Sequence, residues 1–337
     1  MEKIQLGNSG LKVSRIMVGC WSFGGGDGSY WGEQNQADVD ALVSQALDQG
    51  INFFDTAVAY NEGKSEVSLG KALKGRRKEA VICDKILIQE KDQLKNYEST
   101  LRECLKRLDT DFIDLMMIHW PTSDADLLKE NLEALLNAQK QGIIREIGVS
   151  NFSLGTLEIA RGMGVNVAAN EIGYNLMSRG IEKEVLPYCR KHKIGIFAYS
   201  PLMQGILTGK YQKLLDIPPM RRRTVHFSNM GNPECKHGGP GADAEVEAFL
   251  KGLRAISEQT GISCSTLSLA WVCHQEGVAC VIAGCRSVEQ LRENVASIGT
   301  KISAETLKAL TDLSQPVFDK IGEYLDWYRG SANPRVW

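Results

Sequence analysis

The sequence has little that would tie the chain to a membrane or to a nucleic acid. No apolar run in its 337 residues approaches the length of a membrane span, and residues 1–7 lack the apolar core of a signal peptide. The net charge of −2 leaves no basic field that would attract a polyanion. We therefore expect a cytoplasmic protein with no nucleic-acid or membrane partner, and the composition leaves its oligomeric state open.

Disulfides and metal sites also lack support in the sequence. The nine cysteines are odd in number, scattered in spacing and free of any Cys-x-x-Cys pair. This usage favours reduced thiols over a disulfide framework. Cys235 with His237, and Cys273 with His274, do not complete a four-ligand set at a plausible spacing. We therefore predict no metal.

A further absence concerns dinucleotide binding. No segment has the order strand, Gly-x-Gly-x-x-Gly, helix that marks a Rossmann domain. Residues 24–28 are rich in glycine and follow the first predicted strand, but no helix opens at the required spacing. We interpret this stretch as a loop.

What is present is a regular alternation of short apolar runs and helical patterns. A hairpin is predicted from residues 3–6 and 11–13, joined by an Asn/Gly-rich turn. Eight strands then follow at residues 15–19, 53–55, 80–84, 113–118, 144–149, 167–171, 194–199 and 279–283. Helical patterns separate and follow them at residues 37–49, 65–73, 93–108, 126–141, 154–161, 181–191, 244–259 with 264–275, and 288–297. Strands that are apolar throughout and alternate with helices predict one α/β domain over residues 1–337, a (β/α)8 TIM barrel.

Two segments depart from this regular pattern. Residues 201–243 are rich in Gly, Pro and Arg without clear periodicity, and a long irregular segment in a compact domain is usually functional. Residues 303–313 predict an appended helix, and the aromatic, basic tail that follows is expected to pack over one end of the barrel. The predicted barrel therefore has an irregular loop at about 201–243 and a C-terminal extension at about 301–337.

Polar and ionisable residues follow the strands at their carboxyl ends. Each has an ordinary structural explanation on its own: Tyr60 could pack a loop, His119 could be a core histidine, and Ser150 with Asn151 could cap a helix. In a barrel, however, these ends meet at one mouth, where barrel active sites lie. The residues in question are Asp55 and Tyr60, Asp84 and Lys85, His119 and Trp120, Ser150 and Asn151, Asn170 and Glu171, Tyr199 and Ser200, and Gly284 to Arg286.

Asp55, Tyr60 and Lys85 suggest a specific chemistry. A lysine in the ring of strand ends needs a partner charge, and Asp55 supplies one. A phenol beside that lysine is expected to have its pKa, ordinarily about 10, lowered by the cation. A phenol tuned in this way can donate a proton near neutral pH.

Five segments together resemble the motifs of the aldo-keto reductases. They are Asp55-Thr-Ala-x-x-Tyr60 continuing to Glu66, residues 113–121 with His119, residues 148–151, residues 199–210, and residues 284–294. They occur in the family's order along the chain. The resemblance implies a (β/α)8 barrel that reduces carbonyl compounds with a nicotinamide cofactor.

The resemblance also implies residue roles. Tyr60 would donate the proton, Lys85 would lower its pKa, Asp55 would hold Lys85, and His119 would orient the carbonyl. The cofactor would be held by Ser150, Asn151, Glu171, Tyr199, Ser200, Leu202, Gly205, Lys210, an arginine of the 221–223 cluster such as Arg222, Gly284, Arg286, Gln290, Glu293 and Asn294.

Three positions depart from the family pattern. The family usually has glutamine where Glu171 stands, proline where Ala283 stands, and often serine where Cys285 stands. Arg286 can pair with a ribose 2′-phosphate, so NADP(H) is favoured over NAD(H). The last two substitutions concern the adenosine end of the cofactor.

The substrate and two other functions stay open at this point. Trp21, Trp31 and Trp120, with Tyr30, are candidates for the substrate wall, which would suit sugars, polyols or aromatic aldehydes. Lys85 could instead act as the Schiff-base nucleophile of an aldolase, although a neighbouring Asp55 argues against the depressed lysine pKa that this needs. A third hypothesis is that the protein is a cofactor-binding subunit that senses redox state.

Overall fold

The computed structural model describes residues 1–26, 29–229, 231–329 and 335. A hairpin comes first, formed by β1 (Lys3–Gln5) and β2 (Lys12–Ser14), which pair antiparallel as predicted. Leu6, Leu11 and Val13 of this segment are buried in the same cluster as apolar residues from the strands that follow. The hairpin therefore covers the end of the barrel where the strands begin.

Eight parallel strands close into a barrel, in agreement with the predicted fold. Each strand pairs with its sequence neighbours, and the last pairs with the first. The strands are β3 (Ile16–Gly19), β4 (Phe53–Asp55), β5 (Val81–Ile86), β6 (Ile113–Ile118), β7 (Ile144–Ser150), β8 (Val167–Gly173), β9 (Gly195–Tyr199) and β10 (Val278–Gly284). β5 runs two residues beyond its predicted end, because Lys85 and Ile86 continue the pairing with β6. Lys85 thus lies within a strand.

Side chains alternate between two buried clusters along the strands. Phe53 lies in the inner cluster, inside the barrel, and Phe54 lies in the outer cluster, between strands and helices. Since successive strand residues point to opposite faces, Asp55 follows Phe53 into the barrel. By the same alternation Lys85 follows Cys83, and Glu171 follows Ala169. The sequence pattern therefore directs three ionisable side chains into the mouth of the barrel.

The helices surround the strands on the outside. They are α1 (Gln36–Asp48), α2 (Lys64–Ala72), α3 (Lys91–Lys95), α4 (Tyr97–Leu108), α5 (Ala125–Lys140), α6 (Leu154–Gly162), α7 (Val185–Lys191), α8 (Asp243–Thr260), α9 (Cys264–Cys273), α10 (Val288–Gly299) and α11 (Ala304–Ile321). Capping side chains start several of them, as Ser287 does for α10 by accepting from the Gln290 N–H. In the described part of the chain, none of these helices combines the length and apolar character that a bilayer crossing requires.

Most helices begin and end within two residues of their predicted bounds, and three differ by more or are interrupted. The helix predicted at 93–108 is interrupted at Asn96, and the one predicted at 181–191 begins as a 3-10 turn at Gly180–Glu182. α11 continues past residue 313 to Ile321, because Val317 extends its buried stripe beyond Pro316.

The irregular segment and the C-terminal tail meet beside the mouth. Residues 201–243 contain 3-10 turns at Met203–Thr208, Leu214–Asp216 and Pro219–Arg221. Trp327 is 3% exposed, and its carbonyl accepts from the Val225 N–H at 2.7 Å. Its ring centroid is 5.6 Å from that of Tyr199. The described part of the tail thus packs on the mouth as predicted, and residues 330–334 and 336–337 lie outside the described residues, as do residues 27–28 of the predicted glycine-rich loop.

Candidate active site

One ammonium and two carboxylates form the floor of the barrel mouth. The Lys85 side chain is fully buried and contacts an oxygen of Asp55, while its Nζ lies 3.2 Å from Oε2 of Glu171. Burial favours the neutral amine, but the charges of Asp55 and Glu171 outweigh it and raise the pKa of Lys85 well above its ordinary range. Lys85 therefore stays a cation, which removes the free amine that a Schiff-base nucleophile needs.

A strained turn brings Tyr60 to this floor. Asn61 and Glu62 adopt positive φ of 48° and 58°, a conformation uncommon for residues other than glycine. Asn61 stabilises the turn because its Nδ2 donates to the carbonyls of Trp21 and Phe23, at 2.9 and 2.8 Å. The centre of the Tyr60 ring lies 5.1 Å from the Lys85 Nζ. The turn thus fixes the phenol beside the cation.

The pKa of Tyr60 differs from the sequence-based expectation. The Lys85 charge acts to lower that pKa, as predicted, but burial has the larger effect and Asp55 and Glu171 add to it. The net result is a pKa well above the usual range of a phenol. The expectation of a net lowering was wrong because it left out desolvation. Tyr60 consequently keeps its proton through neutral pH, and Lys85 is placed to stabilise the tyrosinate if the proton is given up.

His119 lies against the edge of the Tyr60 ring. The two ring centroids are 5.6 Å apart in a T-shaped arrangement. Burial, together with the charges of Lys85 and Arg335, lowers the pKa of His119 to about 3, so the imidazole is neutral. Its Nδ1 is buried and has no hydrogen-bond partner within the described residues. A neutral imidazole of this kind can hold a substrate oxygen without competing for the proton.

Asn151 links three strand ends. Its backbone is left-handed, with φ of 61°, and its N–H donates to the Glu171 carbonyl at 2.8 Å. Its Nδ2 donates to the His119 carbonyl at 3.1 Å, and its Oδ1 accepts from the Tyr199 hydroxyl at 2.9 Å. Such strain is maintained only where surrounding bonds over-determine it. The backbone N–H of Asn151 thus ties its segment to β8, and the side-chain amide ties it to the ends of β6 and β9.

A cleft of about 1310 Å³ opens above this floor. Asp55, Tyr60 and His119 line it, and Lys85 lies beneath them. Most of the residues predicted to hold a cofactor line it as well, namely Ser150, Asn151, Glu171, Tyr199, Ser200, Leu202, Gly205, Lys210, Gly284, Arg286, Gln290, Glu293 and Asn294. The volume exceeds that of a usual small-molecule site, which gives room for two ligands side by side.

Arg222 is the exception among the residues predicted to hold a cofactor. Its Nε donates to the Ile217 carbonyl at 2.9 Å, and it does not line the cleft. Arg221, its neighbour, does. A methyl group placed on Gly205, which has φ of 86°, would meet the Lys210 Nζ at 3.3 Å and the Arg221 Nη1 at 3.4 Å. Two cations thus converge on a bare glycine, so Arg221 replaces Arg222 as the candidate of this cluster for an anionic ligand.

Arg286 lies at the far end of the cleft, before α10. Its N–H donates to the Gln290 Oε1 at 2.9 Å, and its guanidinium donates to the Glu33 carbonyl. The Gln34 Nε2 in turn donates to the Arg286 carbonyl at 3.3 Å. The segment after β3 therefore holds Arg286 near the N-terminus of α10, where an anion is favoured.

Aromatic rings form one wall of the cleft. The Trp21 ring stacks on Tyr30 at 5.2 Å and on Tyr60 at 5.9 Å, and Trp31 meets Trp21 edge-on at 5.5 Å. The Arg335 guanidinium carbon lies over the Trp120 ring, 3.6 Å from the ring centre. The three predicted tryptophans thus line the same cleft as Tyr60.

Sequence reasoning missed a group of residues that connects the walls. Gln204 accepts from the Tyr30 hydroxyl at 2.7 Å and donates to the Tyr328 hydroxyl at 2.8 Å. The Arg223 guanidinium lies 5.2 Å from the Tyr30 ring and 5.1 Å from the Tyr328 ring. These residues come from three distant segments. Tyr30, the aromatic tail and the arginine cluster at 221–223 were each noted in the sequence, but nothing in the pattern predicted that Gln204 joins them.

The fold and the site together define an oxidoreductase of the aldo-keto reductase type. The chain matches the Aldo/keto reductase family over residues 15–315. It therefore belongs to that family, whose members bind nicotinamide cofactors and act on small carbonyl compounds.

The relatives that match nearly the whole chain are named for different functions. The chain is 31% identical to the aldo-keto reductase YhdN of Bacillus subtilis, covering 96% of each chain. It is 29% identical to an NADH-specific methylglyoxal reductase of Escherichia coli, covering 94% of this chain and 99% of the relative. It is also 29% identical to a probable voltage-gated potassium channel subunit beta of Arabidopsis thaliana, covering 96% and 97%.

Solved structures confirm the architecture. The glycerol dehydrogenase AKR11B4 of Gluconobacter oxydans superposes with a TM-score of 0.75 at 27% identity, covering 96% of this chain and 97% of that one. An aldo-keto reductase of Klebsiella pneumoniae in complex with NADPH gives a TM-score of 0.70 at 26% identity, covering 94% and 95%.

Proposed function

We propose that this protein transfers a hydride from NADPH to an aldehyde, ketone or sugar-type carbonyl, with Tyr60 as the proton donor. The observation that carries the proposal is the position of the Tyr60 ring between the Lys85 ammonium, at 5.1 Å, and the His119 ring, at 5.6 Å. NADPH would supply the hydride, and the side chains would supply the proton and the electrostatic stabilisation.

Tyr60, Lys85, Asp55 and His119 each have one task in this proposal. Tyr60 holds its proton at the cleft surface and gives it to the carbonyl oxygen as negative charge develops there. Lys85 stabilises the tyrosinate that remains, and Asp55 keeps the ammonium in place. His119 orients the carbonyl as a neutral imidazole. These groups are fixed before the substrate arrives, which is the preorganisation that electrostatic stabilisation requires.

The cofactor residues follow from the cleft. Lys210 and Arg221 would hold the pyrophosphate, Ser150 and Asn151 the carboxamide, and Tyr199 would stack on the nicotinamide ring. Arg286 supports NADPH over NADH because a guanidinium near a helix N-terminus suits a 2′-phosphate. The relatives leave both cofactors open, since the Klebsiella structure holds NADPH and the Escherichia coli relative is NADH-specific.

The direct experiment is a screen of carbonyl substrates with both cofactors. Aldehydes, α-dicarbonyls, aldoses and cyclic polyol ketones would be mixed with NADPH or NADH, and the loss of nicotinamide absorbance would be followed. We expect turnover with at least one carbonyl class and a higher kcat/KM with NADPH. Absence of turnover with every carbonyl, although cofactor binds, would contradict the proposal.

A second candidate function is a cofactor-binding subunit of a larger assembly. It is favoured by the 29% identity to the probable channel subunit of Arabidopsis thaliana. Affinity purification of the tagged chain with cofactor bound, in its own cells, tests it. A stoichiometric membrane protein in the eluate, together with negligible turnover in the screen, would favour this second function.

We also propose that the protein is cytoplasmic. The nine cysteines are all free, and eight of them are buried. Free thiols in this number are typical of a reducing compartment.

A further inference from the structure

Glu171 touches both the buried lysine and the cleft. It lies on β8 and is 3% exposed, and its Oε2 is 3.2 Å from the Lys85 Nζ. It also lines the cleft beside Ser150 and Asn151. The ammonium of Lys85 is thus held from two sides, by Asp55 on β4 and by Glu171 on β8.

Two carboxylates around one ammonium leave an excess negative charge if both are ionised. Burial and the neighbouring Asp55 charge raise the pKa of Glu171 to about 8, because together they outweigh the lowering effect of Lys85. At neutral pH, Glu171 therefore carries a proton, and its carboxyl still offers an oxygen to Lys85. Of the two described carboxyl groups in contact with the ammonium, Asp55 then supplies the negative charge.

Other ionisable groups face this carboxyl from every neighbouring element. They differ in how they respond to pH: the Lys85 cation is stabilised by its partners, and burial raises the pKa of the phenols and of the thiol well above their ordinary values. Burial also raises the pKa of Asp55, against the lowering effect of Lys85. Glu171 is the carboxyl of the set that also lines the cleft beside the proton donor and has its pKa raised to about 8. The set consists of Asp55, Tyr60, Cys83, Lys85 and Tyr199.

We propose that Glu171 is a positioning residue for the proton donor, which holds Lys85 from the cleft side and, through its own charge, sets how strongly Lys85 acidifies Tyr60. This inference rests on the proposed function, since it concerns the same proton donor. The Glu171 charge also acts on Tyr60 directly and makes the phenol harder to ionise.

The proposal predicts the direction in which the rate of carbonyl reduction changes with pH. Below about pH 8 Glu171 is neutral, so the Lys85 charge acts fully on Tyr60. As pH rises through about 8, Glu171 ionises, offsets part of that charge and makes Tyr60 a weaker acid. Carbonyl reduction should therefore slow above pH 8, before Tyr60 itself loses its proton.

The first test compares pH–rate profiles of wild type and Glu171→Gln. The variant keeps the shape and an acceptor oxygen for Lys85 but cannot ionise. Whatever its kcat at pH 6.5, we expect the variant to lose the alkaline fall near pH 8. One pH unit above the Glu171 pKa about a tenth of the wild type is still protonated, so the ratio of variant kcat to wild-type kcat should rise by up to roughly tenfold between pH 6.5 and pH 9.

Glu146→Gln, on β7 at the opposite end of the barrel, is the matched control and should retain the wild-type profile. A Glu171→Gln profile with the same alkaline fall as wild type would overturn the proposal. A merely structural role would lower kcat at every pH equally, and that outcome would overturn it as well.

The second test does not depend on turnover. Isotope-edited infrared spectra of the cofactor-bound protein report the C=O band of a protonated glutamic acid. We expect one such band at pH 7 that is lost as pH rises through about 8 and is absent from Glu171→Gln. Absence of the band in wild type at pH 7 would overturn the inference. If no carbonyl is reduced and the band behaves as expected, the proposed function fails while the charge state assigned to Glu171 stands.

Discussion

Lys85 is the residue on which the proposed chemistry depends most. It is a fully buried cation, and burying a lone ammonium would be unfavourable by several kcal/mol without partners. Asp55 and Glu171 provide those partners, and Tyr60 lies over the same ammonium. Lys85 therefore stays positively charged next to the Tyr60 phenol.

Replacement of this cation should remove most of the activity. In Lys85→Met the phenol loses the charge that stabilises its tyrosinate, so we expect kcat to fall by about 10²-fold or more. Steady-state reduction of the best carbonyl substrate, measured over pH 5–10, checks this. The control is Lys251→Met on the exposed side of α8, which should be unchanged. A Lys85→Met enzyme with wild-type kcat and pH profile would rule out the role.

At the scale of single residues, the sequence predicted which side chains lie at the mouth better than it predicted their charge states. The positions of Asp55, Tyr60, Lys85 and His119 follow from strand ends that meet at one mouth. The net pKa shift of Tyr60 did not follow, because desolvation depends on packing that a sequence does not display. For the same reason Arg222 could not be told from Arg221, since which member of a cluster turns inward is set by the path of a 3-10 turn.

The elements around the site are held by a buried ion pair between two helices. Arg107 on α4 binds Glu66 on α2 through two nitrogens, at 2.7 and 3.1 Å, and Glu66 is fully buried. Asp84 on β5 lies next to Glu66, and its Oδ2 has no hydrogen-bond partner in the described part of the chain. Loss of Arg107 would leave two carboxyl groups facing each other.

Arg107→Met should therefore destabilise the fold. Removing one partner of a buried ion pair costs about 3–5 kcal/mol, and the partial exposure of Arg107 places the expected loss near the lower end. The free energy of unfolding in urea measures it. Arg102→Met, which breaks the exposed Arg102–Glu98 pair on the same helix, should cost less than about 0.5 kcal/mol. Equal losses for the two variants would contradict this account of the helix pair.

The start of α10 is the element that bears on cofactor choice. Arg286→Ala should weaken NADPH binding by about 1.5–3 kcal/mol, the range for hydrogen bonds to charged groups, and leave NADH binding nearly unchanged. Fluorescence quenching titrations with each cofactor check this. Arg292→Ala, within α10 and bonded to Gln45, is the control and should alter neither affinity. Equal losses for both cofactors, or none, would show that Arg286 does not read the phosphate.

At the scale of the whole molecule, the sequence pattern was sufficient for the barrel. Eight apolar runs separated by helices leave few topologies, and the closed order in which β10 pairs with β3 is the one expected of a (β/α)8 fold. We propose that residues 1–337 fold as one domain around it. The contacts of Gln204 with Tyr30 and Tyr328 could not be predicted, because they join three irregular segments with no periodic signal.

The whole barrel serves to bring one phenol, one ammonium and one imidazole together beneath a cleft. The most direct test is therefore a single turnover of NADPH-loaded protein with its best carbonyl substrate, comparing wild type with Tyr60→Phe. We expect the rate of NADPH oxidation to fall ~10²–10⁴-fold, with NADPH affinity nearly unchanged and with Tyr324→Phe, on an exposed side chain, behaving as wild type. A Tyr60→Phe protein that keeps more than about a tenth of the wild-type rate would show that another group supplies the proton.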